Sequence, residues 1–115
     1  MPLIRLETDI SMDKERKIDL AGKLSIIVSE KTCKPVKYVM ASISSCEILL
    51  SGEPGSSALV QVMSIGGLNS SVNGSIAVAV SELLEESLGI PSDRIYITFT
   101  DVPGENWAWK GKTFR

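Results

Sequence analysis

The chain has 115 residues, 43% of them hydrophobic, with a net charge of −2 and no histidine. Its length fits one domain spanning residues 1–115, and its acidic balance, with no run of Lys or Arg beyond two, argues against binding to nucleic acid or membrane. Two cysteines are too few for a disulfide framework, and in the absence of histidine they do not suit a zinc site. The N-terminus lacks the pattern of a signal peptide, and no apolar run is long enough to span a membrane. We therefore expect a cytoplasmic protein, with non-classical secretion left open.

The first predicted element is a strand over residues 3–8, preceded by a proline at position two. A residue this small allows an aminopeptidase to remove Met1, which would leave Pro2 with a free secondary amine. An α-amine has a pKa near 7.7–8.0, and burial or a nearby cation lowers that value. Pro2 can therefore serve as a general base at neutral pH in a chain without histidine. The plainer alternative is that Pro2 only starts an edge strand.

A helix is predicted next, over residues 13–31, because apolar residues recur there at helical spacing opposite a charged side. Ser11 or Asp13 can cap its start. Pro35 ends the helical region before a strand predicted over 37–44. Residues 48–50 can add a short further strand, and Cys33 and Cys46 are expected to be small packing residues.

The second half of the chain repeats this order. A strand is predicted over 58–65, a helix over 70–88 with Gly89 as a left-handed terminator, and a strand over 94–100. Pro35 and Pro91 lie 56 residues apart, and the same shift superimposes the apolar positions of residues 2–44 on those of residues 58–100. The pattern indicates an internal pseudo-repeat of two strand–helix–strand units. The tail after Asp101 can add one more strand.

Two such units predict an α/β fold, an α+β sandwich with a four-stranded mixed sheet. Right-handed crossovers place both helices on one face of that sheet. The strands at 39–43 and 58–65 are nevertheless apolar in both phases of the pleat, which indicates burial on both faces. Other copies of the chain are the simplest cover for the second face, so we expect a symmetric homo-oligomer.

Several of these segments together resemble the macrophage migration inhibitory factor family of the tautomerase superfamily. The resemblance covers essentially the whole chain, and it depends on Pro2 at the start of the first strand and on the segments Cys33-Lys34-Pro35, Met63-Ser64-Ile65-Gly66, Pro91-Ser92-Asp93-Arg94-Ile95-Tyr96-Ile97 and Trp109 to Phe114. It implies two βαβ units per subunit and a homotrimer whose sheets face a central channel.

The resemblance also implies a site. Pro2 matches the family's catalytic base, which moves a proton between carbon and oxygen. Lys34 matches the lysine that binds the substrate carboxylate, and Ile65 matches the position whose backbone N–H binds substrate, with Ser64 beside it. Tyr96 matches a tyrosine that a neighbouring subunit contributes to the pocket, and Thr98 matches the polar position two residues later. Trp109 and Phe114 match two aromatic positions in the wall of the pocket.

Three departures from the animal members of the family qualify this prediction. Thr98 replaces an asparagine and lacks its amide donor. Ser57-Ala58-Leu59-Val60 replaces a CxxC, so no thiol–disulfide activity is expected. Trp107 adds a second bulky aromatic beside Trp109, which can narrow the pocket or change which substrates fit.

The predicted function is keto–enol tautomerisation of small 2-oxo acids such as phenylpyruvate, without cofactor or metal. One alternative is a cytokine-like signalling protein with a vestigial pocket and an unknown receptor. Another is a different reaction of the superfamily, such as decarboxylation or dehalogenation. Those members place an arginine near the proline, and Arg5 shows no matching motif.

Overall fold

Two strand–helix–strand units build a four-stranded mixed sheet in the computed structural model, which describes all 115 residues. The sheet has the order β2-β1-β3-β4, with β1 antiparallel to β3 and both outer pairs parallel. The elements are β1 (Pro2–Thr8), α1 (Lys14–Thr32), β2 (Met40–Ser45), β3 (Ala58–Ser64), α2 (Ser70–Leu88), β4 (Ile95–Asp101), β5 (Ala108–Trp109) and β6 (Lys112–Thr113).

The mixed sheet and the two helices are those that the sequence predicted. Asp13 caps α1 by accepting the Arg16 N–H at 2.8 Å, and Gly89 ends α2 with φ of 68°. Both α1 and α2 have 19 residues, and they begin 56 positions apart.

Four local predictions need correction. Residues 37–39 are not strand, because a 3₁₀ turn at Val36–Tyr38 precedes β2. Residues 48–50 contribute only an isolated bridge between Leu50 and Glu53. The tail forms a separate two-stranded hairpin, β5–β6, rather than a fifth strand of the main sheet. Cys33 is exposed and Cys46 only half-buried, so neither is a core packing residue.

The core lies between the helices and one face of the sheet. Every second residue of β1 and β3 is buried there against both helices, in a cluster of 13 residues: Ile4, Leu6, Leu20, Leu24, Val28, Ala58, Val60, Val62, Ile76, Val80, Leu84, Ile90 and Ile95. Since the strand period is two, the alternate residues point to the opposite face. Neither helix is long and apolar enough to cross a membrane.

The opposite face of the sheet, called the open face below, carries no helix. It is a mixed surface of apolar and polar residues. Leu3, Met63 and Tyr96 contribute apolar or aromatic area, but Arg5 and Gln61 lie among them. The apolar pattern predicted for both phases of residues 39–43 and 58–65 is interrupted on this face by Ser42 and Gln61.

Two exposed helix glycines provide a test of the fold's energetics. Gly22 lies in α1 and Gly74 in α2, and a methyl group at either would meet nothing within 4 Å. Replacing each with Ala should raise the free energy of unfolding by about 0.5–1 kcal/mol, because Ala loses less backbone entropy in a helix. Denaturant titration measures this. Gly89→Ala is the matched control, and its positive φ should make it destabilising; a loss of stability at Gly22 and Gly74 as well would contradict the helix assignment.

Candidate active site

The candidate site lies at the end of the sheet where β1 begins and β3 ends. Pro2 pairs there with Ser64, and the Pro2 side chain is fully buried on the helix side. Met1 projects beyond it, and its carbonyl accepts the Ile65 N–H at 3.3 Å. Met1 therefore occupies the backbone donor that was predicted to bind substrate.

Lys34 approaches the same point from the end of α1. Cys33 ends the helix in the left-handed conformation, with φ of 58°. The Ser29 carbonyl accepts the Lys34 N–H at 3.1 Å, and the Ser29 hydroxyl donates to the Lys34 carbonyl at 2.6 Å. These two bonds fix the backbone of Lys34 to the last turn of α1, so that its side chain extends toward Met1.

The side chain of Lys34 passes over a glycine. Gly67 has φ of 81°, and a Cβ on it would lie 2.8 Å from Lys34 Cε. The preceding Gly66 is also left-handed, but a Cβ there would meet nothing within 4 Å. The absence of a side chain at residue 67 thus leaves the space that the lysine stem occupies.

The loop after β3 is held by hydrogen bonds on both sides of Ile65, which fix the position of that residue. Asp101 accepts the Gly66 N–H at 2.9 Å, and the Val102 N–H donates to the Ser64 carbonyl at 2.8 Å. The Ser64 hydroxyl is buried and donates to the Gly66 carbonyl at 2.7 Å. Ser64 therefore supports the loop with its side chain and does not line the cavity.

Two open cavities flank Met1. The first, of about 340 Å³, is lined by Met1, Lys34, Pro35, Tyr38, Ile65 and Phe114. The second, of about 400 Å³, is lined by Met1, Pro2, Leu3, Lys37, Tyr38, Val39, Met40, Trp107, Ala108 and Trp109. The two cavities share only Met1 and Tyr38.

An aromatic cluster forms the outer wall. Tyr38 meets Trp109 edge to face with ring centroids 6.1 Å apart, and Trp109 stacks on Phe114 at 6.5 Å. The tail is placed by a bond from the Phe114 N–H to the Trp107 carbonyl, 3.0 Å long. It also passes so close to Gly104 that a Cβ on that residue would collide with the Phe114 carbonyl. Trp109 and Phe114 thus lie near Pro2 and Lys34, together with Trp107.

Tyr96 and Thr98 lie elsewhere in the subunit. Tyr96 pairs with Leu59 and Thr98 with Gln61, whereas Pro2 pairs with Ser64. At about 3.3 Å per residue, Tyr96 is about 17 Å and Thr98 about 10 Å along the sheet from Pro2. Both are exposed, and Tyr96 borders a different cavity, of about 190 Å³, with Arg94. Neither residue lines the two cavities that flank Met1.

Tyr38 was not predicted as a site residue, although it borders both cavities. Its position is set by the 3₁₀ turn at Val36–Tyr38, whereas the predicted strand began at residue 37. The signal available in the sequence was an aromatic residue four positions after Lys34.

The electrostatics of this end favour a neutral amine. The pKa of the Met1 α-ammonium is lowered, first by partial burial and second by the positive charge of Lys34. If Met1 is removed, the amine moves one residue inward to the buried Pro2, where both causes act in the same direction. The arrangement can therefore supply an uncharged base, a cation and a backbone N–H donor within one cleft.

Comparisons with known proteins agree with this geometry. The sequence model described as macrophage migration inhibitory factor matches residues 1–115. A macrophage migration inhibitory factor homologue of Trichinella spiralis is 32% identical over 115 residues, covering 99% of this chain and all of that protein. The crystal structure of a homologue from Prochlorococcus marinus is 37% identical with a TM-score of 0.92, covering 98% of this chain and 99% of that one. The structure of the macrophage migration inhibitory factor of Toxoplasma gondii is 32% identical in sequence with a TM-score of 0.92, covering 97% of this chain and 99% of that one.

Proposed function

Since the chain belongs to the macrophage migration inhibitory factor family, we propose that it is a keto–enol tautomerase of small 2-oxo acids such as phenylpyruvate. One observation carries the proposal. The Met1 carbonyl accepts the Ile65 N–H, and the Met1 α-amine, whose pKa is lowered by burial, lies close enough to Lys34 for that charge to lower the pKa further. Removal of Met1 would therefore free the Ile65 N–H and expose the Pro2 amine in the same cleft.

The proposed mechanism uses the groups that meet there. Lys34 and the Ile65 N–H hold the substrate carboxylate, which places the carbon next to the carbonyl against Pro2. The neutral Pro2 amine takes the proton from that carbon, or from the enol oxygen in the reverse direction. The resulting ammonium returns the proton to the other atom. Burial of Pro2 and the aromatic wall limit access of water to the amine.

The test is an enol–keto assay with phenylpyruvate on protein whose N-terminus has been measured by mass spectrometry. Protein that begins at Pro2 should convert the enol to the keto acid faster than buffer alone. A protein that begins at Pro2, is folded and assembled, and gives no rate above buffer would contradict the proposal. That result is what the alternative, a signalling protein with a vestigial pocket, would give.

We also propose that the functional unit is a homotrimer with the open faces around a central channel. β2 and β4 are both edge strands, and the apolar residues Met40, Leu49 and Tyr96 are each more than 60% exposed. Exposed strand edges beside apolar side chains favour association. The polar residues Arg5 and Gln61 on the open face suit a water-filled channel better than a dry interface. A neighbouring subunit would then be the source of the Tyr96 and Thr98 that complete each cleft.

Light scattering at micromolar concentration should give three times the chain mass of 12.4 kDa. A monomer mass would contradict the trimer, because the exposed apolar residues of β2 and β4 would then have no cover. A dimer or tetramer would contradict the three-fold arrangement while leaving association itself in place.

A further inference from the structure

We propose that the cleft is built for 2-oxo acids that carry a second anionic group on their tail, with Lys37 as the residue that binds it. The proposal rests on the proposed function and names its substrate class. It follows from the relation between the two cavities at Met1.

Met1 is one of only two residues that line both cavities. Its removal would take away one of these two shared walls, and we expect the two spaces then to join around Tyr38 into one cleft that runs past Pro2. Lys34 and Ile65 stand at one end of that cleft, and Lys37 lines the other part together with Trp107 and Trp109. The base thus lies on a path between two lysines.

The charged side chains along this path are all positive. No Asp or Glu lines either cavity, and both cavities contain a lysine. Lys37 makes no ion pair in the structure, where the only two salt bridges join Arg5 to Glu7 and Lys23 to Asp19. Its Nζ lies instead 5.0 Å from the centroid of the Tyr38 ring. A lysine without a carboxylate partner at the wall of an apolar cavity is available to an anionic ligand.

The two lysines have different expected roles. Lys34, with its backbone fixed by Ser29, would take the carboxylate next to the reacting carbonyl. Lys37 would meet a group on the far end of an aromatic or apolar tail, whose body would lie along Tyr38 and the tryptophans. A tail that ends in a carboxylate fits this arrangement better than one that ends in a neutral group of the same size.

Three substrates separate the effect of the tail's charge from the effect of its size. They are phenylpyruvate, its 4-carboxyphenyl analogue and its 4-carbamoylphenyl analogue, which has the same shape as the carboxyphenyl compound without the charge. Protein that begins at Pro2 should show kcat/KM about two- to fivefold higher for the carboxyl than for the carbamoyl compound, as expected of an ion pair with an exposed lysine. Lys37→Gln should reduce that ratio to near one, and phenylpyruvate, which has no tail group for Lys37 to meet, measures any effect of the substitution on the rest of the cleft. The ratio should also fall as salt is added.

Lys110→Gln is the matched control. Lys110 also rests on an aromatic ring, 4.4 Å from the centroid of Trp109, but it lines neither cavity. Its substitution should leave the carboxyl-to-carbamoyl ratio unchanged. An equal effect of both substitutions would show a general positive potential at the mouth and overturn the assignment to Lys37.

Calorimetric binding of the same compounds separates this inference from the proposed function. A Lys37-dependent preference in Kd without turnover would retain the anion subsite and remove the tautomerase. Turnover of phenylpyruvate with no preference for the second carboxylate, in either kcat/KM or Kd, would retain the tautomerase and overturn the subsite.

Discussion

Placing a leucine between Met1 and Pro2 should abolish tautomerase activity while leaving the fold and assembly unchanged. The insertion blocks removal of Met1 and converts the Pro2 nitrogen into an amide, which has no usable basicity. Loss of a positioned general base costs about 10²- to 10⁴-fold in rate. The enol–keto assay measures the loss, with mass spectrometry to confirm the N-terminus and light scattering to confirm the assembly.

Pro2→Gly is the matched variant with a free amine. After removal of Met1 it carries a primary amine that is less rigid but basic, so part of the activity should remain. Wild-type kcat/KM should rise with pH as the Pro2 ammonium loses its proton, and it should level off above the pKa. That pKa should lie below the ordinary α-amine range of about 7.7–8.0, since burial and Lys34 both disfavour the charged form. Full activity in the leucine-bearing form would remove Pro2 from the mechanism.

Lys34→Ala should raise KM for phenylpyruvate about ten- to hundredfold, because it removes a charge-assisted hydrogen bond of about 1.5–3 kcal/mol. The methyl ester should be affected much less. The substitution also removes a positive charge beside the amine, so the pKa of Pro2 should rise and the rising limb of the pH profile should move to higher pH. Equal losses for acid and ester, with no shift of that limb, would show that Lys34 does not bind the carboxylate.

A pair of glycine substitutions tests the same lysine without removing it. Gly67→Ala places a methyl group 2.8 Å from Lys34 Cε, which is too close for both atoms to stay in place, so the ammonium should be displaced. Gly66→Ala introduces similar backbone strain with no contact to the lysine. Gly67→Ala should therefore raise KM for the acid more than for the ester. Gly66→Ala should leave the ratio of acid to ester unchanged. Identical effects of the two would indicate loop strain alone.

The sequence predicted the elements of this protein well because their signals are local. Asp13 and Gly89 are cap residues at the ends of apolar stripes, and the 56-residue shift allowed each half to support the assignment of the other. The error at 37–39 arose because apolar residues after Pro35 favour a strand, while the chain makes a 3₁₀ turn before β2 begins to pair with β1 at Met40.

The candidate site was less accessible to sequence reasoning because it depends on pairing. That Pro2 lies opposite Ser64, and Tyr96 opposite Leu59, follows from strand register, which residue patterns do not specify across crossovers. Ser64 pairs with Pro2, so both side chains point to the helix side of the sheet, and this sets the direction of the Ser64 hydroxyl. The role of Gly67 beside Lys34 involves two loops, and no spacing within either loop encodes it.

The cleft is lined by two parts of the chain, and only one of them belongs to the main sheet and its helices. The base and its neighbours are anchored in the sheet and the end of α1, whereas Trp109 and Phe114 belong to a hairpin that pairs only with itself and closes over Gly104. Residues 108–114 contribute nothing to the buried core. A substitution in the tail would therefore change the outer wall of the cleft while leaving the buried core, and the residues around Pro2 that depend on it, in place.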